Sequence, residues 1–299
     1  MPKRILAGVL MMAACCTAAP AVSASLTGPV QVMAGGLQFP WDVLRMPDGR
    51  TLVTERPGRV RTIDRAGNLL PGPAYTGGPG VQKFLGIARS PDYASNRFVY
   101  LFVSYGPAAN PNANRVIRLT DTGSSLVSPV TVFQPGIRSD GNHDGGRIGF
   151  GPDGKLYVTT GDVHDPSLPQ DLGSFNGKIL RIEAPGTAAD GQPAPCNPFA
   201  GAGARPYVWT YGHRHPQGIG WDWSGRMWES EHGPSGESYA GQGGGATSND
   251  EINRIVAGSN YGCRRSLAAR PRRACALRRP PAATHPPGHP AAWPSDRTG

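Results

Sequence analysis

The chain has 299 residues, 42 of them Gly and 31 Pro, with 17% charged and 8% aromatic residues and a formal net charge of +9. Gly and Pro are the two weakest helix formers, which argues against a helical bundle or coiled coil and for a turn-rich all-β chain. The charge sits at the ends: eight Arg against Asp296 in residues 263–299, plus Lys3 and Arg4, leave residues 25–262 neutral, which argues against nucleic acid as a partner.

Residues 1–24 read as an export signal. Lys3 and Arg4 form a positive n-region, Ile5 to Ala19 is small and apolar, and Val22-Ser23-Ala24 offers a cleavage site. The expected location is therefore periplasmic or secreted, and no membrane span is expected beyond this segment. Met12-Ala13-Ala14-Cys15 departs from a lipobox, so a lipid anchor is the lesser reading. With Cys15 and Cys16 removed and the tail set aside, Cys196 cannot build a disulfide framework.

From residue 25 to 262 a strand pair recurs. Pro47-Asp48-Gly49-Arg50 precedes TLVTE and GRVRTID; SPDYASNR precedes FVYLFVSY, with NRVIRLT following. Pro152-Asp153-Gly154-Lys155 precedes LYVTT and GKILRIE, and Trp223-Ser224-Gly225-Arg226 precedes MWES, with EINRIVA following. Asp-Gly turns between apolar runs of period two are hairpin signals, and their return predicts propeller blades rather than a two-sheet sandwich. The expected architecture is an incomplete β-propeller of about four blades plus an opening strand around Phe39-Pro40-Trp41-Asp42. Residues 263–299 hold seven Pro, eight Ala and eight Arg with no apolar periodicity. Such composition predicts a disordered tail, or the product of a GC-rich coding region read out of frame after Asn260-Tyr261-Gly262.

Polar residues of catalytic type cluster between the strands. They are Asn142-His143-Asp144-Gly145-Gly146-Arg147, Gly161-Asp162, Tyr211 to Gly218, Glu231-His232-Gly233-Pro234, and Asp250 to Asn253. In a propeller, loops of one face converge, so these pieces share a site although they are distant in sequence.

Six motifs then carry a specific likeness: VQKFLGIARSPDYASNRFVYL, HDGGRIGFGPDGKLYVTTGD, GKILRI, YGHRHPQGIGWD, EHGP and DEIN…NYG. In this order they resemble the soluble quinoprotein aldose sugar dehydrogenases of the glucose/sorbosone dehydrogenase family, six-bladed propellers that use pyrroloquinoline quinone (PQQ) and calcium. The resemblance implies oxidation of an aldose at its anomeric carbon to a lactone, with a small-molecule sugar and an external electron acceptor as partners and a homodimer as a possible assembly. It places His143 at the family's base position. Asp162 would orient that imidazole and stabilise its cation. It puts Arg214 at the quinone's carboxylates, with His215 where the family has Asn, and Gln82 in the cofactor or sugar pocket. The carbonyls of Gly233 and Pro234 would hold the calcium beside the quinone, and Glu251 and Tyr261 a second, structural calcium. The family pattern continues with Trp where this chain has Cys263, and later blades supply further quinone contacts, so impaired cofactor binding is expected. Two rivals remain open: a metal-dependent propeller lactonase using His143, His213, His215 and His232, and a non-catalytic extracellular binding module.

Overall fold

A computed structural model describes residues 32–105, 114–184, 186, 190–233 and 250–262. The export segment, the 263–299 tail, Pro234 and most of the Gly-rich 235–250 stretch lie outside the described residues. The chain divides into two compact units, residues 1–33 and 34–299, and the architecture below concerns the second.

The described residues form four antiparallel sheets in chain order. The first holds β1 (Pro40–Arg45), β2 (Thr51–Glu55), β3 (Arg59–Ile63) and β4 (Tyr75–Thr76). The second holds β5 (Val81–Arg89), β6 (Phe98–Tyr105), β7 (Asn114–Asp121) and β8 (Leu126–Ile137), with the short helix α1 (Tyr93–Asn96) between β5 and β6. The third holds β9 (Gly145–Phe150), β10 (Leu156–Thr160), β11 (Lys178–Ile182) and β12 (Val208–Tyr211). The fourth holds β13 (Pro216–Trp221), β14 (Met227–Glu231) and β15 (Glu251–Ile255). This is a four-bladed propeller arrangement. The expected opening strand is β1, the first strand of the first blade rather than an addition to it.

The strand pairs read from the sequence are the second and third strands of each sheet, β2–β3, β6–β7, β10–β11 and β14–β15. The turns that lead into these pairs, such as that between β9 and β10, explain the repeat. At Asp153, the side-chain Oδ1 accepts from Lys155 N–H at 3.1 Å, and Gly151 N–H donates to Lys155 O at 3.0 Å. Gly154 closes this turn at φ 72°, a left-handed conformation that costs a side-chain-bearing residue more.

The core lies between blades. Blades one and two enclose Met46, Leu52, Val60, Phe84, Val99, Leu101 and Leu119; blades two and three enclose Tyr100, Phe102, Val116, Leu156, Val158 and Leu180. The space between blades three and four is smaller, built on Tyr157, Ile179, Met227 and Ile255 with Trp209 and Trp221 against them. Strands β10 and β11 are buried on both faces, which is why LYVTT and KILRI read as continuous runs without strict alternation.

Successive first strands touch, β1 with β5, β5 with β9 and β9 with β13. Ile87 N–H donates to Asp42 Oδ2 at 3.0 Å, joining blades one and two. Arg147 of β9 forms an ion pair with Asp42, lies 4.1 Å from the Trp41 ring centroid, and donates through Nε to Gln217 O at 2.9 Å. One guanidinium thus ties the third blade to the first and the fourth. Beyond β15, residues 258–262 turn back along β12. Gly258 N–H donates to Trp209 O, Tyr211 N–H to Ser259 O and Tyr261 N–H to Tyr211 O, while Asn260 and Gln170 exchange two side-chain bonds. Among the described residues, no helix is long and apolar enough to cross a membrane.

Candidate functional site

The loop before β9 carries His143, and its shape is set by Asp140. Asp140 Oδ1 accepts from the N–H groups of Asn142 at 2.9 Å and His143 at 3.1 Å, a local turn of the kind Asp favours. Burial raises the Asp140 carboxyl, but these N–H groups and the His164 ring outweigh it and hold the group below the usual carboxylate range. The strand end after β10 carries Asp162, which is fully buried. The two segments meet because Gly161 lies between them: a methyl group there would collide with the His143 carbonyl. The result is a contact of 2.7 Å between His143 Nδ1 and Asp162 Oδ1. Asp162 Oδ1 also accepts from His164 N–H at 3.1 Å, whereas Asp162 Oδ2 is enclosed and has no hydrogen-bond partner.

The segment between β12 and β13 brings Arg214 and His215 to the same place. Arg214 O accepts from Asp162 N–H at 2.7 Å, and Arg214 Nη1 donates to His232 O at 3.2 Å. Glu231, at the end of β14, accepts the N–H groups of both Arg214 and His215 on Oε1. His143, Asn142, Asp144, Arg214, His215, Gln217 and His232 line one cavity of about 370 Å³ together with Trp41, Arg56, Lys83, Leu85 and Gly145. Four imidazoles stack in a row, three of them on its wall: His164 on His143 (ring centroids 3.7 Å), His143 on His215 (4.7 Å) and His215 on His232 (5.6 Å).

Burial, reinforced by His143, His232 and Arg214, pushes the His215 ring down to about 3, so it is neutral at physiological pH. The unfolded chain takes a proton on this ring below about 6.5, and the folded chain does not until about 3, so stability falls as pH falls through that window. The loss is about 2–3 kcal/mol between pH 6.5 and 4.5. His215→Asn is expected to remove this component. Urea midpoints of both proteins at pH 7 and pH 4.5 check it, and an identical pH dependence would contradict it.

Of the sequence-derived residues, His143, Asp162, Arg214 and His215 come together. Gly233 is buried two residues beyond Glu231, with its N–H 3.1 Å from Asp250 Oδ1. Pro234 lies outside the described residues. Gln82 is exposed on β5 and stands near Gly141 instead of on the cavity wall. Glu251 is exposed at the start of β15, its carboxylate accepting from Asn253 Nδ2 at 3.1 Å. Tyr261 stacks on His213 (4.9 Å) and its hydroxyl donates to Arg254 O at 2.8 Å.

Sequence reasoning missed Lys83, Arg56 and Trp41 as wall residues, and gave no role to Asp144 and Gln217 although both lie in segments it marked. Lys83 Nζ donates to Gly141 O and lies 3.4 Å from Asp144 Oδ2. Asp144 is buried and also accepts from Ser104 Oγ and Asn114 Nδ2. Lys83 is the residue after Gln82, where a register irregularity interrupts the β5–β6 pairing; strand alternation alone does not reveal which of the two faces the cavity. His213 is withdrawn from the cavity lining and fully buried, so the four-histidine grouping of the lactonase reading is not formed as one cluster.

A sequence model of the Glucose / Sorbosone dehydrogenase family matches residues 37–267. The aldose sugar dehydrogenase YliI of Escherichia coli is 33% identical over 260 residues, covering 83% of this chain and 64% of the relative. The quinoprotein glucose dehydrogenase B of Acinetobacter calcoaceticus is 28% identical over 269 residues, covering 78% of this chain and 51% of that one. The PQQ-bound aldose sugar dehydrogenase of Streptomyces coelicolor superposes with a TM-score of 0.64 at 38% identity, covering 78% of this chain and 64% of the structure. The chain thus spans between about half and two thirds of the length of these relatives.

Proposed function

Because the chain belongs to the glucose/sorbosone dehydrogenase family, we propose that its cavity oxidises aldose sugars at the anomeric carbon to lactones with pyrroloquinoline quinone and calcium. The observation that carries this reading is the convergence of His143, backed by Asp162, with Arg214 and Lys83 on one cavity. The donor set fits a flat tricarboxylate: two guanidiniums, one ammonium and stacked planar rings surround a volume of about 370 Å³.

When bound, the quinone supplies a hydride acceptor, and calcium on the Gly233 and Pro234 carbonyls supplies a Lewis acid. The chain's own residues do the rest. His143 donates its Nδ1–H to Asp162, which leaves Nε2 as the acceptor for the anomeric hydroxyl proton. Asp162 has one oxygen without a hydrogen bond, so its charge favours the imidazolium formed as the proton arrives. Neutral His215 adds no repulsion beside that cation. Arg214, Lys83 and Arg56 are the candidates for the cofactor's carboxylates, with His215 on the same wall and Gln82 outside it as a further cofactor candidate. Glu251 and Tyr261 are assigned to the second calcium. Export, an external electron acceptor and a homodimer complete the proposal.

The test mixes the purified chain with quinone, calcium, glucose and a dye acceptor. Sugar-dependent dye reduction that needs both quinone and calcium is expected. Lactone hydrolysis without quinone would replace this reading with the hydrolase; a chain that binds the quinone in a spectral titration yet performs neither reaction would favour the binding module.

A further inference from the structure

The β12–β13 segment and strand β14 together hold three buried ionisable side chains that the proposed reaction does not use. His213, Glu229 and Glu231 are 0%, 2% and 7% exposed, and each offers a donor atom within 4.8 Å of the other two. His213 Nδ1 lies 3.0 Å from Glu231 Oε2, and His213 Nε2 lies 2.9 Å from Thr210 Oγ1. Glu229 Oε2 accepts from Asn253 Nδ2 at 3.3 Å. Glu229 Oε1 is enclosed and meets no donor group, and the Glu231 carboxyl is within hydrogen-bonding reach of the Glu229 carboxyl. Two carboxylates enclosed together hold either a shared proton or a cation, because both charges cannot stay uncompensated away from water.

We propose that His213, Glu229 and Glu231 form a binding site for one first-row divalent metal ion of the zinc or manganese class, separate from the calcium positions. One imidazole nitrogen with two carboxylate oxygens suits such ions, whereas calcium takes oxygen ligands. Ligands at about 2.0–2.2 Å around a tetrahedral ion stand roughly 3.3–3.5 Å apart. The 3.0 Å His213–Glu231 separation is close to that spacing before any ion enters. Thr210 Oγ1 would accept the Nε2–H of His213 once Nδ1 turns its lone pair to the metal, the outer hydrogen bond that ligating histidines require. Glu231 Oε1 is already fixed by the N–H groups of Arg214 and His215, so Oε2 is the oxygen left for the ion. A second cavity of about 290 Å³ borders Glu231 together with Ser230 and Asp250, so one of the three ligands faces open space. The ion would brace the segment that carries Arg214 and His215, whatever reaction the larger cavity performs.

The test uses the full chain, stripped with a chelator, kept in excess calcium and loaded with Zn²⁺ or Co²⁺. Gel filtration followed by elemental analysis should find about one equivalent of metal per chain, retained against the calcium. Glu229→Gln should weaken retention by at least about tenfold, while His232→Asn and Glu251→Gln should leave it unchanged. In the unmodified Co²⁺ protein, one solvent-protected, paramagnetically shifted imidazole N–H should appear, which needs no variant to fold. The proposal fails if no metal is retained, since the carboxylates then share a proton. It also fails if Glu229→Gln retains metal as well as the unmodified chain, or if His232→Asn abolishes binding and so moves it to the stacked imidazoles. Displacement by calcium would likewise overturn it.

Discussion

Replacing His143 with Gln is expected to lower glucose turnover by about 10²–10⁴-fold, the usual contribution of a positioned general base. Gln keeps a donor for the buried Asp162 carboxylate, so the variant avoids stranding that charge and should melt within a few degrees of the parent. Cofactor affinity, read by spectral titration of the quinone, should change little, because Arg214 and Lys83 remain on the wall. The loss should therefore fall on kcat rather than on cofactor loading. A variant with turnover within fivefold of the parent at saturating cofactor would remove His143 from the reaction.

Arg147→Ala should give the largest loss of stability among single changes near the site. The guanidinium pairs with Asp42, stacks on Trp41 and donates to Gln217 O, so its removal cuts the first and fourth blades from the third at one point. Asp42 would be left partly buried without its charge partner. The expected cost is about 2–3 kcal/mol, or a melting temperature lower by roughly 5–10 °C. Trp41 and Gln217 are both cavity walls, so cofactor affinity should weaken together with stability. Thermal melts and quinone titration on one preparation separate the two effects. Arg147→Lys, which keeps the charge but not the planar fork, should recover only part of the loss.

The hairpins were legible because Asp-Gly turns and β-branched runs are local signals, and β2–β3, β6–β7, β10–β11 and β14–β15 all pair as read. Strand β8 was not. Its sequence LVSPVTVFQPGI contains Pro129 and Pro135, which argue against a strand by propensity yet are tolerated on the outer edge of a sheet. Strand β4 spans two residues, too few for any period to show. In the site, His143 and Asp162 could be named together because they stand at the two ends of one recognisable motif. Lys83 could not, and Gln217 lay in a marked segment without a role, since what turns both to the cavity is the contact of neighbouring blades. The buried trio His213, Glu229 and Glu231 was hidden for a related reason: it forms only when the β12–β13 segment folds over β14.

The return of residues 258–262 to β12 gives the fourth blade two moorings. A blade held only through the short 212–215 link could swing on it like a door. Fastened also at Gly258, Asn260 and Tyr261, it can part from the third blade only if both fastenings release at once. Amide protons of β13 and β14 should then exchange with solvent at the same rate as those of β11 and β12. The wall bearing Arg214 and His232 is thereby kept at a fixed spacing from the wall bearing His143.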